Sequence, residues 1–209
     1  REMIVELQQS FTENIQAGDA LENTTWTPSV TIKNSRFERT NTRGTLITTR
    51  RRVVIENNVY YRTGMHAVLI ENDASGWYES GPVRDVTIRN NQFIECGYNS
   101  GSNNYVININ PQTHQLIPGY YVHSHIRIEN NIFKVYDYPL LSARSTNGLI
   151  FKGNTIIPSN LFKPGVKRAA FNLTACKNVS IEKNVFTNNE KPVINLVSMN
   201  SKDVKTDIK

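Results

Sequence analysis

Cysteine is nearly absent from this chain: Cys96 and Cys176 are the two in 209 residues. They are enough for one bridge and too few for a disulfide framework or a cysteine metal cluster. The repeat described below sets them about three coils apart. At roughly 4.8 Å per rung that exceeds the Cα reach of a disulfide, so both are expected free and buried. Long apolar runs are missing too. No stretch approaches the roughly 20 residues of a membrane helix, and no membrane partner is expected. The opening REMIVELQQS has no basic start, apolar stretch or small-residue cleavage site, so it does not read as a signal peptide. It reads as mid-protein sequence, and the chain is expected to be a piece of a longer one. There is no Ser-His-Asp order and no Gly-rich phosphate loop. His66, His114, His123 and His125 lack spaced carboxylate partners, so no metal or other cofactor is expected and these histidines are read as polar surface or sugar contacts.

Charge of one sign is in mild excess, at +6, but the Lys and Arg residues are spread thinly and no aromatic platforms alternate with them. That pattern fits a solvated basic surface and not a nucleic-acid partner. With 38% hydrophobic and 20% charged residues, the chain has enough apolar material for a core. A 3.6-residue period is absent, which excludes a helix bundle, and no helical pattern lies between the strands as βαβ units require. The segment Glu2 to Phe11 is the one piece that reads as helical or irregular.

A repeat is what the sequence does contain. An apolar alternation runs into one or two Asn and then an aromatic or aliphatic residue, in VTIKNSRF from Val30, VVIENNVY from Val53, VTIRNNQF from Val86, IRIENNIF from Ile126, LIFKGNTI from Leu149 and VSIEKNVF from Val179. Aligned on Asn34, Asn57, Asn90, Asn130, Gly153 and Lys183, the copies are 23, 33, 40, 23 and 30 residues apart. A shortest period that recurs, with longer ones between, is the mark of a fixed coil interrupted by loops. Ile32, Ile55, Ile88, Ile128, Phe151 and Ile181 form an inward row, and their charged neighbours point out. The Asn column closes each strand with a tight bend, since Asn tolerates the left-handed conformation. Asn58, Asn91, Asn131, Asn154 and Asn184 are expected to do the same. A second strand follows in each coil, in TLITT from Thr45, AVLIE from Ala67, YVINI from Tyr105, PLLSAR from Pro139, AAFNLT from Ala169 and PVINLV from Pro192. The fold expected is all-β, a single-stranded right-handed parallel β-helix of about six coils over residues 1–201, with 202–209 a frayed tail.

In a solenoid the long insertions mark the working face. Two adjacent coils carry the longest: Glu71 to Asp85, and Asn110 to His125 through His114 and Tyr121. The inward row of the second strand is Ile47, Ile70, Ile109, Ala143 and Leu173, which leaves Thr48, Glu71, Asn110 and Arg144 facing out. Beyond them the first loop gathers Asp73, Trp77, Tyr78, Glu79 and Asp85. Aromatic faces beside carboxylates suit sugars, and glycoside hydrolysis needs two carboxyl groups, one protonated and one ionised. Scaffold readings stand beside these: Asp85 as a turn or ion-pair residue, Glu71 paired with Arg50 or Arg144, and Trp77 packed as a loop anchor.

The stretches GDALENTTWTPSVTIKNSRF, RGTLITT, VVIENN, AVLIENDASGWYESGPVRDVTIRNNQF and IRIENNIFKVYDYPLLSARSTNGLIFKGN resemble the C-terminal half of glycoside hydrolase family 110, the inverting α-1,3-galactosidases. WYESGPVRDVTIRNN is the most specific block. The resemblance implies an enzyme, or a domain of one, that removes terminal α-1,3-linked galactose with inversion. It implies an acidic cluster over Glu71-Asn72-Asp73 and Glu79. The residues expected to act on the sugar are then Asp73, Glu71 and Glu79 as acids, with Trp77, Tyr78, Arg50, Asn110 and Arg144 binding it. An α-galactosyl glycan is the partner, and the expected location is extracellular or periplasmic. Two departures stand out: the family's N-terminal coils are missing, and Asn108-Ile109-Asn110-Pro111-Gln112 and Thr48-Thr49 supply no acid. Two other classes remain open. One is a β-helix lyase for acidic polysaccharide, using Arg50 to Arg52 or Arg144; the other is a glycan-binding solenoid without catalysis.

Overall fold

The structure is a computed structural model that describes residues 4, 6, 8–10, 15, 19–74, 76–79, 81–99, 104–113, 115–137, 139–162, 168–188 and 191–208. Its strands, numbered along the chain, form three parallel sheets. The first contains the repeat itself: β1 (Val30–Lys33), β4 (Val53–Glu56), β7 (Arg84–Arg89), β10 (His123–Glu129), β13 (Thr146–Lys152), β16 (Lys177–Glu182) and β19 (Val204–Thr206). The second holds β2 (Arg36–Glu38), β5 (Val59–Tyr61), β8 (Gln92–Ile94), β11 (Ile132–Val135), β14 (Thr155–Pro158) and β17 (Val185–Phe186). The third holds β3 (Thr45–Ile47), β6 (Val68–Ile70), β9 (Ile107–Ile109), β12 (Leu141–Arg144), β15 (Phe171–Thr174) and β18 (Ile194–Val197). Each strand pairs with its equivalents one turn before and after, so the chain winds as a three-sided parallel β-helix of six coils, as the repeat predicts. Among the described residues there is no α-helix.

The core follows the alternation. Ile32, Ile55, Ile88, Ile128, Phe151 and Ile181 lie in register from strand to strand, and from Ile55 to Ile181 they are fully buried. On the third sheet Ile47, Ile70, Ile109, Ala143 and Leu173 form the matching row. The second sheet is a strand that the sequence reading does not separate from the bend before it. Its inward residues form an aromatic stack: Phe37 on Tyr60 at 4.9 Å, Tyr60 on Phe93 at 5.1 Å and Phe93 on Phe133 at 4.9 Å between ring centroids. Parallel in-register strands place like residues one rung apart, and that spacing suits offset ring stacking.

The two Asn columns divide the corner between them, where a shared role was expected. Asn34, Asn57, Asn90 and Asn130 have φ of 53° to 57°, and Lys183 (58°) and Gly153 (67°) take the same left-handed conformation. This is the left-handed residue that turns the chain. At Gly153 a Cβ would lie 2.5 Å from Asn130 Oδ1, so a side chain there would make the Asn130 amide shift. The second column is buried and forms a ladder. The backbone N–H and Nδ2 of Asn58 both donate to Asn91 Oδ1, those of Asn91 to Asn131, and those of Asn131 to Asn154, all at 2.9–3.0 Å. Each Nδ2 also reaches a carbonyl of the coil before, as Asn131 does to Ile88 O.

The expected frayed tail is a correction. Val204, Lys205 and Thr206 pair with Val179, Ser180 and Ile181 and begin a seventh rung. The backbone edge of β16 and the apolar faces of Val204 and Ile208 against the core hold them there. The segment Glu2 to Phe11 lies largely outside the described residues, and its described positions contain no helix. Both cysteines are free and buried, as expected.

Candidate active site

The two longest loops leave neighbouring rungs of the third sheet and run side by side. Pairing continues past the strands, with Asn110 N–H donating to Ile70 O at 2.9 Å and Gln112 N–H to Asn72 O at 3.1 Å. Glu71 therefore lies beside Asn110 on the outer face. Its Oε1 accepts from Gln112 Nε2 at 2.6 Å and, more weakly, from Asn110 Nδ2 at 3.4 Å. Neither arginine proposed as its ion-pair partner fills that place. Arg50 forms an ion pair with Glu22, and Arg144 donates to Thr113 O at 3.3 Å, bracing the second loop.

Asp73 builds the first loop. Its Oδ1 accepts from Gly76 N–H at 2.7 Å and its carbonyl from Glu79 N–H at 2.6 Å. This is the turn an Asp side chain closes by bonding its own backbone a few residues on. It returns Glu79 toward the acids that precede it. Burial pushes the Glu79 carboxyl above the usual carboxylate range; the charges of Glu71 and Asp73 add to the rise and Arg43 opposes it. The three acids named from the sequence thus lie within electrostatic reach of one another. Two carboxyls with unequal proton affinity are the arrangement that separates an acid from a base at one pH.

A cleft of about 730 Å³ opens beside them, lined by Asp19, Glu22, Arg50, Tyr78, Glu79 and Gln112 among others. Trp77 and Tyr78 are exposed, at 80% and 84%, so Trp77 is not a packed anchor. Tyr78 is held at φ 56°, uncommon for an aromatic residue and a mark of a turn under constraint. Asp19 and Glu22 are the cleft acids that sequence reasoning does not single out. They precede the first repeat and carry no periodic signal. Gly81 lets the returning loop pass close to Glu22, where a Cβ would meet Oε2 at 2.8 Å. Asp85 takes the ion-pair role, with Arg127 at 3.0 Å.

The histidines require a correction. His66 and His123 are buried, so they are not surface sugar contacts. Each is drawn in by a backbone partner: His66 Nδ1 lies 2.8 Å from Tyr105 O, and His123 Nδ1 accepts from Val83 N–H at 3.0 Å. Burial lowers the pKa of both, that of His123 to about 4. His125 is exposed, and His114 lies outside the described residues. Among the described residues no group of three or more His, Cys, Asp or Glu is placed to hold a metal ion.

A three-sided stack of parallel rungs with long loops on one edge defines the class, and the chain belongs to the right-handed β-helix family: the model described as "Right handed beta helix region" matches residues 20–206. Within that class it is similar to proteins named for one activity. It is 51% identical over 193 residues to alpha-1,3-galactosidase A of Bacteroides fragilis (strain YCH46), covering 91% of this chain and 32% of that one. It is 42% identical over 189 residues to alpha-1,3-galactosidase B of Bacteroides thetaiotaomicron, covering 88% and 30%, and 38% identical over 185 residues to alpha-1,3-galactosidase B of Akkermansia muciniphila, covering 88% and 23%. The galactosidase resemblance read from the sequence is borne out by these names. The chain spans less than a third of the length of these relatives.

Proposed function

We propose that this chain is the acid-bearing β-helix portion of a glycoside hydrolase that removes terminal α-1,3-linked galactose from glycans with inversion. One observation carries the reading: Glu79 lines the cleft, and its proton affinity is raised by burial and by the charges of Glu71 and Asp73 on the same loop. The names of the relatives support the substrate class. Glu79 is the general acid, protonating the glycosidic oxygen as the bond to the anomeric carbon breaks. Glu71, just past the end of β6, is the base that takes a proton from the attacking water. Asp73 holds the loop, and its charge adds to the effect of burial and of Glu71 in raising the proton affinity of Glu79. Inversion requires the two working carboxyls to stand about 6.5–9.5 Å apart, leaving room for water between. Tyr78 and Trp77 offer rings to the apolar face of the pyranose, and Arg50 and Asn110 offer donors to its hydroxyls. The site is outside the cell or in the periplasm, where such glycans are met.

The test is hydrolysis of an α-1,3-galactosyl disaccharide followed by proton NMR. Inversion releases β-galactose first and retention releases α-galactose. Release of α-galactose would refute inversion. Absence of hydrolysis with retained galactoside binding would favour the binding-module reading, in which the amides Asn110 and Gln112 engage Glu71 and no water is activated.

A further inference from the structure

Beside the acid cluster, the outer face of the third sheet carries polar groups that the proposed reaction does not use. Asn108 is the middle residue of β9. Ile107 and Ile109 on either side point into the core, so its side chain stands on the outer face, two residues and about 7 Å along the strand from Asn110. It is nonetheless nine-tenths buried, at 8% exposure. Its Nδ2 lies 3.2 Å from Nε2 of His66, whose Nδ1 lies 2.8 Å from the carbonyl oxygen of Tyr105.

These contacts fix every proton in the chain. A backbone carbonyl only accepts, so His66 Nδ1 carries the hydrogen. In the neutral ring Nε2 is then an acceptor, and the Asn108 atom facing it has to be the donating Nδ2. Burial lowers the pKa of the ring; the hydrogen bond to Tyr105 O opposes this and Arg43 adds to it. The carboxamide cannot flip without setting its oxygen against the lone pair of Nε2. Among the described residues no donor reaches Asn108 Oδ1. Arg43 acts electrostatically on both His66 and Glu79.

We infer that His66 locks Asn108 so that its carboxamide oxygen serves as a fixed, uncharged acceptor for a saccharide hydroxyl, two residues along β9 from the Asn110 amide that meets Glu71. The inference rests on the saccharide reading above and deepens it: the sugar lies across the outer face of the third sheet, from the acid-bearing loops toward Arg43, and is selected by a hydroxyl that donates to Asn108. Asn108 is a binding residue. His66 is a positioning residue that acts through it. A neutral acceptor suits this place, since a further carboxylate would raise the proton affinity of its neighbours and blur the separation of acid from base.

The experiment uses the chain as it is, with methyl α-galactoside as the probe. Calorimetry compares wild type with Asn108→Leu, which matches the side chain in size and removes the acceptor, and with His66→Phe, which frees the amide to turn. The expected result is a tenfold or greater loss of affinity for Asn108→Leu and a smaller loss for His66→Phe, with urea midpoints showing both variants folded. In parallel, nitrogen NMR of the histidine ring is expected to show His66 in the neutral Nδ1–H form at neutral pH, a readout independent of any ligand. Undiminished binding by Asn108→Leu, or an Nε2–H or charged His66, overturns this pair and leaves the saccharide reading intact. Absence of galactoside binding by wild type overturns both.

Discussion

Asn131 Oδ1 accepts two hydrogen bonds from Asn91, one turn away: from its backbone N–H at 2.9 Å and from its Nδ2 at 3.0 Å. One side chain thus satisfies a buried amide of the neighbouring coil, while its own Nδ2 satisfies Ile88 O below and Asn154 Oδ1 above. Asn131→Ala would orphan several buried groups at once. At about 1–3 kcal/mol for each unsatisfied group, it is expected to cost about 3 kcal/mol or more in urea unfolding. The preceding Asn130, in the left-handed column, is expected to tolerate glycine with a change under about 1 kcal/mol, because its work is conformational. Equal costs at the two positions would refute the division of labour.

Glu79→Gln keeps the shape and removes the proton to be delivered. It is expected to lower kcat on an α-1,3-galactoside by about 10²–10⁴-fold, the usual worth of a general acid. The loss should be much smaller with an activated aryl galactoside whose leaving group needs no proton. Equal losses on both substrates would exclude the acid role.

The same carboxyl gives a pH signature in stability. Its folded pKa is raised, so between the ordinary carboxylate value and the raised one the native state binds more protons than the unfolded chain. Its contribution to stability is therefore present at low pH and is lost as pH rises through the folded pKa. Glu79→Gln should raise Tm relative to wild type at neutral pH, and the difference should vanish below about pH 4. A Tm difference that grows on acidification would reverse the sign and sink the assignment.

His123 has the opposite sign. It is fully buried and its pKa is lowered to about 4, so from the ordinary value of about 6.5 down to about 4 the unfolded chain binds the extra proton. Stability is expected to fall across that window by on the order of 3 kcal/mol. His123→Asn keeps an acceptor near the position of Nδ1 for Val83 N–H and should flatten the slope. An unchanged slope would show that another group titrates.

The alternation in VVIENN and its copies made the first and third sheets and their inward rows legible, because a period of two is written directly into neighbouring residues. The second sheet escaped because its strands are mostly three or four residues long and begin just after a left-handed bend, where the inside-outside phase is reset. The two Asn columns could not be told apart by residue type. They differ in φ and burial, which the sequence does not print. Val204 and Thr206 read as tail because their rung begins after a short turn at 201–203 and carries no Asn. At the site, Glu71, Asp73 and Glu79 were visible as a cluster within one loop. The partners of Glu71, Arg50, His66 and Arg144 were not, since contacts between rungs join residues dozens of positions apart.

Burial falls off toward both ends of these 209 residues, and that sets how this span breathes on its own. Val30, Ile32 and Phe37 at one end and Ile194, Leu196 and Val204 at the other are only partly covered, while Ile88, Ile107 and Phe133 are sealed. In a linear array each unit is secured by its two neighbours alone, so opening starts at the ends and travels inward one unit at a time. Amide exchange should be fastest around β1 and β18 and slowest at β9 and β10. Glu71 hangs from the second unit, one step from the fast end, whereas Asn108 is anchored in the slow middle. An opening that reaches β6 therefore loosens Glu71, together with His66 just before the strand, before it reaches Asn108.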